Sequence, residues 1–178
     1  NFTKVLFHNL GLKIFEESQI KNLVGEIFIK NFNSAFGSIE GNGFEQNFEA
    51  TLIGKDLSAN PILSLNTQLE INMEEIFPGT DFLRIKGKEL SKIQLSYNSS
   101  EGLEINILTN LFNTDITSDI NYFNKPVGNS LDTKVNISNI KKPNILIKNN
   151  LFETLLILEK NKIDGYFKSG DYFNEIVN

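Results

Sequence analysis

The sequence contains no cysteine and no tryptophan, and His8 and Arg84 are its only histidine and its only arginine. Without cysteine, the chain can form neither a disulfide framework nor a thiolate nucleophile. A hydrolase triad, a zinc site or a histidine acid–base pair would have to be built on His8, because each needs an imidazole. A single histidine needs partners to do such chemistry. We therefore expect a structural or surface role for His8 and no enzymatic activity.

Clustered positive charge and long apolar runs are also scarce. The formal net charge is −5 and the lysines are scattered. Nucleic-acid binding requires a basic stripe that neutralises phosphates, so a nucleic-acid partner is not expected. No run approaches the ~20 apolar residues of a membrane-spanning helix. The longest, Leu155-Leu156-Ile157-Leu158, has the length of a strand, and any membrane anchor is expected to lie outside this chain.

The remaining polar motifs do not indicate a catalytic or metal site. Glu16-Glu17 and Glu74-Glu75 are adjacent carboxylates, which diverge on a strand and form no acid–base dyad. Asp115 and Asp119 lack the glycine and terminal glutamate of a calcium loop. Gly41-Asn42-Gly43 lacks the rest of a phosphate-binding loop. We predict that this last segment is a turn between two strands.

An alternation of apolar and polar residues dominates the sequence, and this period of two is typical of strands with one apolar face. It predicts roughly a dozen strands, separated by turn-forming residues at short intervals. We predict that the apolar residues of the clearest runs share one concave or enclosed face. They are Leu63, Leu65, Leu69, Ile71, Ile93, Leu95, Leu103, Ile105, Ile107, Val135 and Ile137.

Helical signals are short and turn signals frequent. Asn72–Phe77 could form one helical turn with Asn72 as N-cap, ended by Pro78-Gly79, and residues 171–177 could form another. Asn98–Gly102 is typical of a hairpin loop. No helix of βαβ length is predicted, which excludes a parallel α/β sheet. The fold class expected is all-β with minor helix: an antiparallel meander sheet, curled into an elongated open groove or a sandwich-like roll.

Phenylalanine is unusually frequent, with 15 residues. Core packing is the simplest interpretation. A broad sheet with few helices must bury its apolar face on another sheet, on itself by curling, or on an apolar ligand. Eight of the phenylalanines fall in the first third of the chain: Phe2, Phe7, Phe15, Phe28, Phe32, Phe36, Phe44 and Phe48.

The order of elements from Phe36 to Ile137 resembles the AsmA-like family of Gram-negative envelope proteins, and most closely its large YhdP branch. Members carry a strand, a P-x-x-x-x-K-P-x-G-x-x-L loop and a further alternating strand. The end of that loop is present here as Lys125, Pro126, Gly128 and Leu131, whereas the leading proline is absent. We expect the loop to be an ordered connection and not a ligand site.

The resemblance implies more than composition does. Residues 1–178 would be a single β-rich segment of a larger protein, anchored in the inner membrane by a helix outside this chain and extending through the periplasm. Its sheet would curl into an apolar groove that conducts phospholipid between the inner and outer membranes. The partners implied are phospholipid acyl chains, together with envelope proteins of both membranes. The family has no attributed enzyme activity or cofactor.

Three alternatives remain open from the sequence. A structural or adhesive β-sandwich of a surface protein would close the apolar face with a second sheet and leave no groove. An outer-membrane barrel would turn apolar residues outward on strands of ~9–11 residues, and several runs here are shorter. An enzyme could carry its active site beyond this segment.

Overall fold

The computed structural model describes residues 2–13, 19–43, 45–76, 83–118, 124–139, 142–159 and 162–169. Over these residues the chain is nearly all β, which confirms the predicted fold class. The elements up to residue 148 are β1 Phe2–Lys13, β2 Gln19–Lys30, β3 Ser34–Gly43, β4 Gln46–Lys55, β5 Ile62–Asn72, α1 Met73–Ile76, β6 Leu83–Lys86, β7 Lys88–Asn98, β8 Gly102–Thr109, β9 Asp115–Ser118, β10 Asn124–Lys125, β11 Thr133–Ser138 and β12 Asn144–Lys148.

 The last two strands are β13 Phe152–Glu159 and β14 Lys162–Ser169.

Eleven strands form one sheet in the order β1-β2-β3-β4-β5-β7-β8-β11-β12-β13-β14. The three short strands left out of it form a second sheet in the order β10-β9-β6. The strand pairs are antiparallel, which is the arrangement that short hairpin turns between successive strands allow. The large sheet is therefore a meander, and among the described strands the second sheet's members are inserted between β5 and β7 and between β8 and β11.

The chain divides into two compact units. Unit 1 contains Asn1–Leu69 and Ile93–Ile105, and unit 2 contains Glu70–Lys92 and Asn106–Asn178. In unit 2 a small buried core forms around α1 and the second sheet. Its buried members are Met73, Leu111, Ile116 and Leu131, and Ile71, Ile85 and Leu151 pack against them.

The predicted helical turn is present as α1. The Asn72 side-chain oxygen accepts a hydrogen bond of 3.2 Å from the backbone N–H of Glu74, so Asn72 is the N-cap as expected. The predicted stop signal at Pro78-Gly79 and the second helical turn at 171–177 lie outside the described residues.

The predicted hairpin between β7 and β8 is also confirmed. The Asn98 side-chain oxygen accepts a 3.0 Å hydrogen bond from the Ser100 backbone N–H, which closes the turn locally. Gly102 follows with a φ of +88°, a conformation that a residue without Cβ adopts at little cost.

The turn prediction at Gly41-Asn42-Gly43 is wrong. These residues belong to β3, where Gly41 pairs with Phe48 and Gly43 with Gln46. The glycine serves close packing instead, because a Cβ on Gly41 would lie 2.8 Å from Leu23 Cδ2.

The segment from Leu111 to Ile116 combines a turn with the beginning of a strand. Leu111 has a φ of +49° and the Thr114 backbone N–H donates to the Leu111 carbonyl oxygen, so the segment begins as a turn. Strand β9 begins only at Asp115. The turn places the Leu111 side chain in the core of unit 2.

Candidate functional site

The strand register gathers apolar residues on one side of unit 1. Directly opposite residues of an antiparallel pair project from the same side of a sheet. One such row crosses five strands and consists of Val5, Ile27, Gly37, Leu52 and Leu65. The predicted site residue Leu65 therefore lies in a continuous apolar row that runs to the end strand β1.

The neighbouring rows have the same character. One consists of Phe7, Gly25, Ile39, Ala50 and Thr67. The other consists of Thr3, Ile29, Ala35, Gly54 and Leu63. We call the side of unit 1 formed by these three rows the apolar face.

Burial varies across the apolar face. Ile39 and Ala50 at its centre are buried, at 9% and 3% exposure. Leu52 and Leu65 are half-buried, and Val5, on the end strand β1, is 38% exposed. Much of this face therefore keeps apolar surface within reach of solvent.

Strand β7 continues the apolar face. The Gln94 side-chain amide donates a 3.1 Å hydrogen bond to the Asn66 side-chain oxygen, so these polar residues of β7 and β5 share one side of the sheet. By alternation, Ile93 and Leu95 lie on the other side, with Leu65. Both are half-buried.

Unit 2 carries its own part of the predicted set. The Asn136 side-chain amide donates a 3.0 Å hydrogen bond to the Asn106 side-chain oxygen, which places Ile107 on the same side as Val135 and Ile137. Val135 lies opposite Ile147, and Ile137 lies opposite Ile145. This side of unit 2 is therefore also apolar.

None of the eleven predicted site residues is exposed: Leu69 and Val135 are buried, and the others are half-buried. Unit 1 brings Leu63, Leu65, Ile93 and Leu95 to one side. Ile71 packs instead against the buried core of unit 2. That these residues line a path for a ligand stays a prediction.

The sequence interpretation missed a buried polar cluster in unit 2. The Glu89 side chain is 2% exposed and its Oε1 accepts hydrogen bonds from the Asn113 backbone N–H and, at 2.9 Å, from the Thr114 hydroxyl. Ser91 is fully buried in the same strand. Glu89 and Ser91 continue the alternating phase of Ile93 and Leu95. The sequence signal that could have revealed this cluster is therefore the presence of two polar residues at positions of β7 where the alternation predicts apolar ones.

Lys125 completes this polar cluster. Its ammonium donates a 2.6 Å hydrogen bond to the Thr114 carbonyl oxygen and a longer one of 3.4 Å to the Pro126 carbonyl oxygen. Burial lowers the pKa of Lys125 below its ordinary value, whereas the negative charges of Glu89 and Asp115 act to raise it. Lys125 thus bonds to backbone carbonyl oxygens, and Glu89 to a backbone N–H and a hydroxyl, an arrangement that holds a turn in place.

The loop after Lys125 is held by backbone hydrogen bonds. The Gly128 N–H donates to the Phe112 carbonyl oxygen at 2.8 Å, and the Leu131 N–H donates to the Asn110 carbonyl oxygen at 2.6 Å. Gly128 has a φ of +93°. The loop is thus an ordered connection that delivers the buried Leu131 side chain to the core of unit 2.

No family model, curated protein or solved structure matches this chain. Within the described part of the chain, no helix has the length and apolar character needed to cross a membrane.

Proposed function

We propose that this chain is a non-enzymatic, lipid-binding segment whose apolar face holds phospholipid acyl chains. The observation that supports this most directly is the continuity of the apolar rows over β1 to β5 together with their incomplete burial. A ligand that covers apolar surface stabilises the complex by ~25 cal/mol for each Å² removed from water. An acyl chain lying along the rows would provide such cover.

A conduit needs binding that does not fix the ligand in one place. The apolar face has aliphatic side chains and glycines along its rows, and apolar contact is not directional. Acyl chains could therefore slide along it while the headgroup stays in water. By the resemblance to AsmA-like proteins, we place this segment in the periplasmic part of an inner-membrane-anchored protein that moves phospholipid toward the outer membrane.

The alternative function is a structural or adhesive β-sandwich module. The burial of Ala35, Ile39, Phe48 and Ala50 is the observation that favours it, because a closed sandwich buries its inner face. The two functions differ in whether Leu65, at the half-buried part of the same face, can be reached by a ligand.

Native mass spectrometry of the purified chain tests the proposal by detecting co-purified phospholipid. We expect lipid on the wild-type chain, loss of lipid in Leu65→Asp, and retention in Gln68→Asp. Gln68 is an exposed residue of the same strand that alternates to the opposite side, so it is a matched control. A wild-type chain without lipid, or equal lipid on Leu65→Asp, would contradict the proposal.

A further inference from the structure

The opposite side of unit 1 carries an aromatic cluster where polar residues would be expected. Phe28 lies directly opposite Phe36 on the neighbouring strand, and their rings stack with centroids 5.3 Å apart. The ring of Phe2 meets that of Phe36 edge-on at 6.4 Å. Ile53 lies opposite Phe36 on β4. Four apolar side chains therefore form one contiguous group on this side.

Three of these four side chains are exposed, and Phe28 is half-buried. Phe2 is 63%, Phe36 50% and Ile53 46% exposed, so the expectation of core packing is wrong for these two phenylalanines. Phe32, in the turn between β2 and β3, is 72% exposed. Apolar residues scattered singly over a surface are ordinary, whereas a contiguous exposed group indicates an interaction site.

Lysines flank this group. The Lys4 ammonium lies 5.4 Å from the Phe28 ring centroid, and the Lys30 ammonium lies 5.9 Å from that of Phe2. Lys4 also pairs with Glu26 at 2.6 Å. We call Phe2, Lys4, Phe28, Lys30, Phe36 and Ile53 the aromatic–lysine patch.

The end of this side of unit 1 that holds the patch carries charges of both signs, because Glu26 alternates onto the same side as Phe28 and pairs with Lys4. Lys55 alternates onto the same side as Ile53, which adds a third lysine near the patch, with Asp56 following it in the turn. Toward the other end, Glu40 and Glu49 lie opposite one another on β3 and β4. The patch end thus holds three lysines beside the two carboxylates of Glu26 and Asp56, a small positive excess in a chain of net charge −5.

We propose that the aromatic–lysine patch docks on the surface of an anionic phospholipid bilayer. Phenylalanine rings can enter the headgroup–acyl boundary while lysine ammonium groups meet lipid phosphates. A protein partner could also contact the phenylalanines, but protein interfaces are depleted in lysine, and lysines flank the rings here. The inference stands apart from the proposed function, since it concerns the opposite side of the sheet.

Co-sedimentation with vesicles tests the docking. We compare vesicles of phosphatidylcholine alone with vesicles of phosphatidylcholine mixed with phosphatidylglycerol. The wild-type chain should bind the mixed vesicles only, and added salt should weaken this binding. Lys30→Glu should lower the partition coefficient by at least about fivefold, the factor that one lysine contributes near an anionic surface. Phe36→Ser should lower it as well.

Matched controls keep the test specific. Lys134→Glu changes an exposed lysine of β11, and Leu90→Ser changes an exposed leucine of β7, both outside the patch. Both should bind like the wild type. Circular dichroism checks that each variant is folded.

Three outcomes would overturn the proposal. One is the absence of wild-type binding to the mixed vesicles, and another is an equal loss in the control variants. The third is self-association of the wild-type chain in sedimentation velocity that Phe36→Ser abolishes, without vesicle binding, because the patch would then serve a second copy of the chain.

Discussion

The Lys125 ammonium donates a 2.6 Å hydrogen bond to the backbone carbonyl oxygen of Thr114, and this bond joins β10 to the turn before β9. Thr114 is itself bonded through its hydroxyl to the buried carboxylate of Glu89. Lys125 is thus a structural residue that stabilises the small sheet of unit 2.

Replacing Lys125 with methionine should destabilise the protein by about 1.5–3 kcal/mol, the usual contribution of a hydrogen bond from a charged group. The Thr114 carbonyl oxygen would lose its donor, and the Glu89 carboxylate would lose a nearby positive charge. Urea unfolding measures the effect. Lys134→Met is the control, because Lys134 is exposed in β11. Equal urea midpoints for Lys125→Met and Lys134→Met would contradict the structural role of Lys125.

The titration of Lys125 should depend on Glu89. Burial lowers the Lys125 pKa below 10.5, and the Glu89 charge partly opposes this shift. Glu89→Gln removes that charge, so the Lys125 pKa should fall further. Chemical shifts of the lysine side chain, followed by NMR against pH, measure it. An unchanged or higher pKa in the variant would show that Glu89 does not act on Lys125 through its charge.

The lowered pKa also fixes the sign of a pH effect on stability. Between the folded-state pKa of Lys125 and 10.5, the unfolded chain holds the proton more often than the folded chain. Stability from this group therefore rises as pH increases through that window. The stability difference between the wild type and Lys125→Met should accordingly widen toward pH 10.5. A difference that narrows instead would contradict the direction of the shift.

A charge on the half-buried side of β8 should be tolerated if that side is accessible. Ile105→Lys should keep a thermal midpoint close to that of the wild type, because water or a lipid headgroup can solvate the ammonium. Leu108→Lys, at an exposed position on the opposite side of the same strand, is the control. A buried, unpaired charge would cost several kcal/mol of a total stability of ~5–15 kcal/mol. Unfolding of Ile105→Lys alone would therefore favour the closed sandwich.

Gly37 should not tolerate a side chain. A Cβ at this position would lie 2.1 Å from the Glu26 carbonyl oxygen on β2, so the two strands would have to separate. We expect Gly37→Ala to cost about 1–3 kcal/mol, as overpacking usually does. Chemical denaturation measures it, with Ser38→Ala at the exposed neighbouring position as control. A neutral effect would show that the strands do not approach so closely.

Structural features that depend on neighbouring residues, such as strand phase, caps and turns, can be predicted well from the sequence. Alternation identifies the inward phase of β5, β7 and β11, and Asn72 and Asn98 mark an N-cap and a turn through bonds to residues two positions away. The sequence predicts poorly whatever depends on distant partners. Glu89 is buried because residues 24 and 25 positions away satisfy its carboxylate, and no local pattern reveals them.

The same limit explains the errors over glycine and phenylalanine. Gly41-Asn42-Gly43 has the composition of a turn, but the packing of Leu23 against Gly41 comes from another strand. Phe36 has the composition of a core residue, yet its position in β3 turns it away from Ile39 and Ala35. In each case the position of the residue within its strand determines what its side chain contacts, and composition does not.

The position of the small sheet has a consequence for how the chain acquires its structure. Its strand β6 pairs with β9, joining Leu83 to Ser118 and Lys86 to Asp115, whereas the large sheet is built mainly of hairpins between successive strands. Closing a long loop costs more entropy than closing a hairpin. The hairpins can therefore form early and independently, and the pairing of β6 with β9 has to wait until β7 and β8 have brought the two connecting segments together.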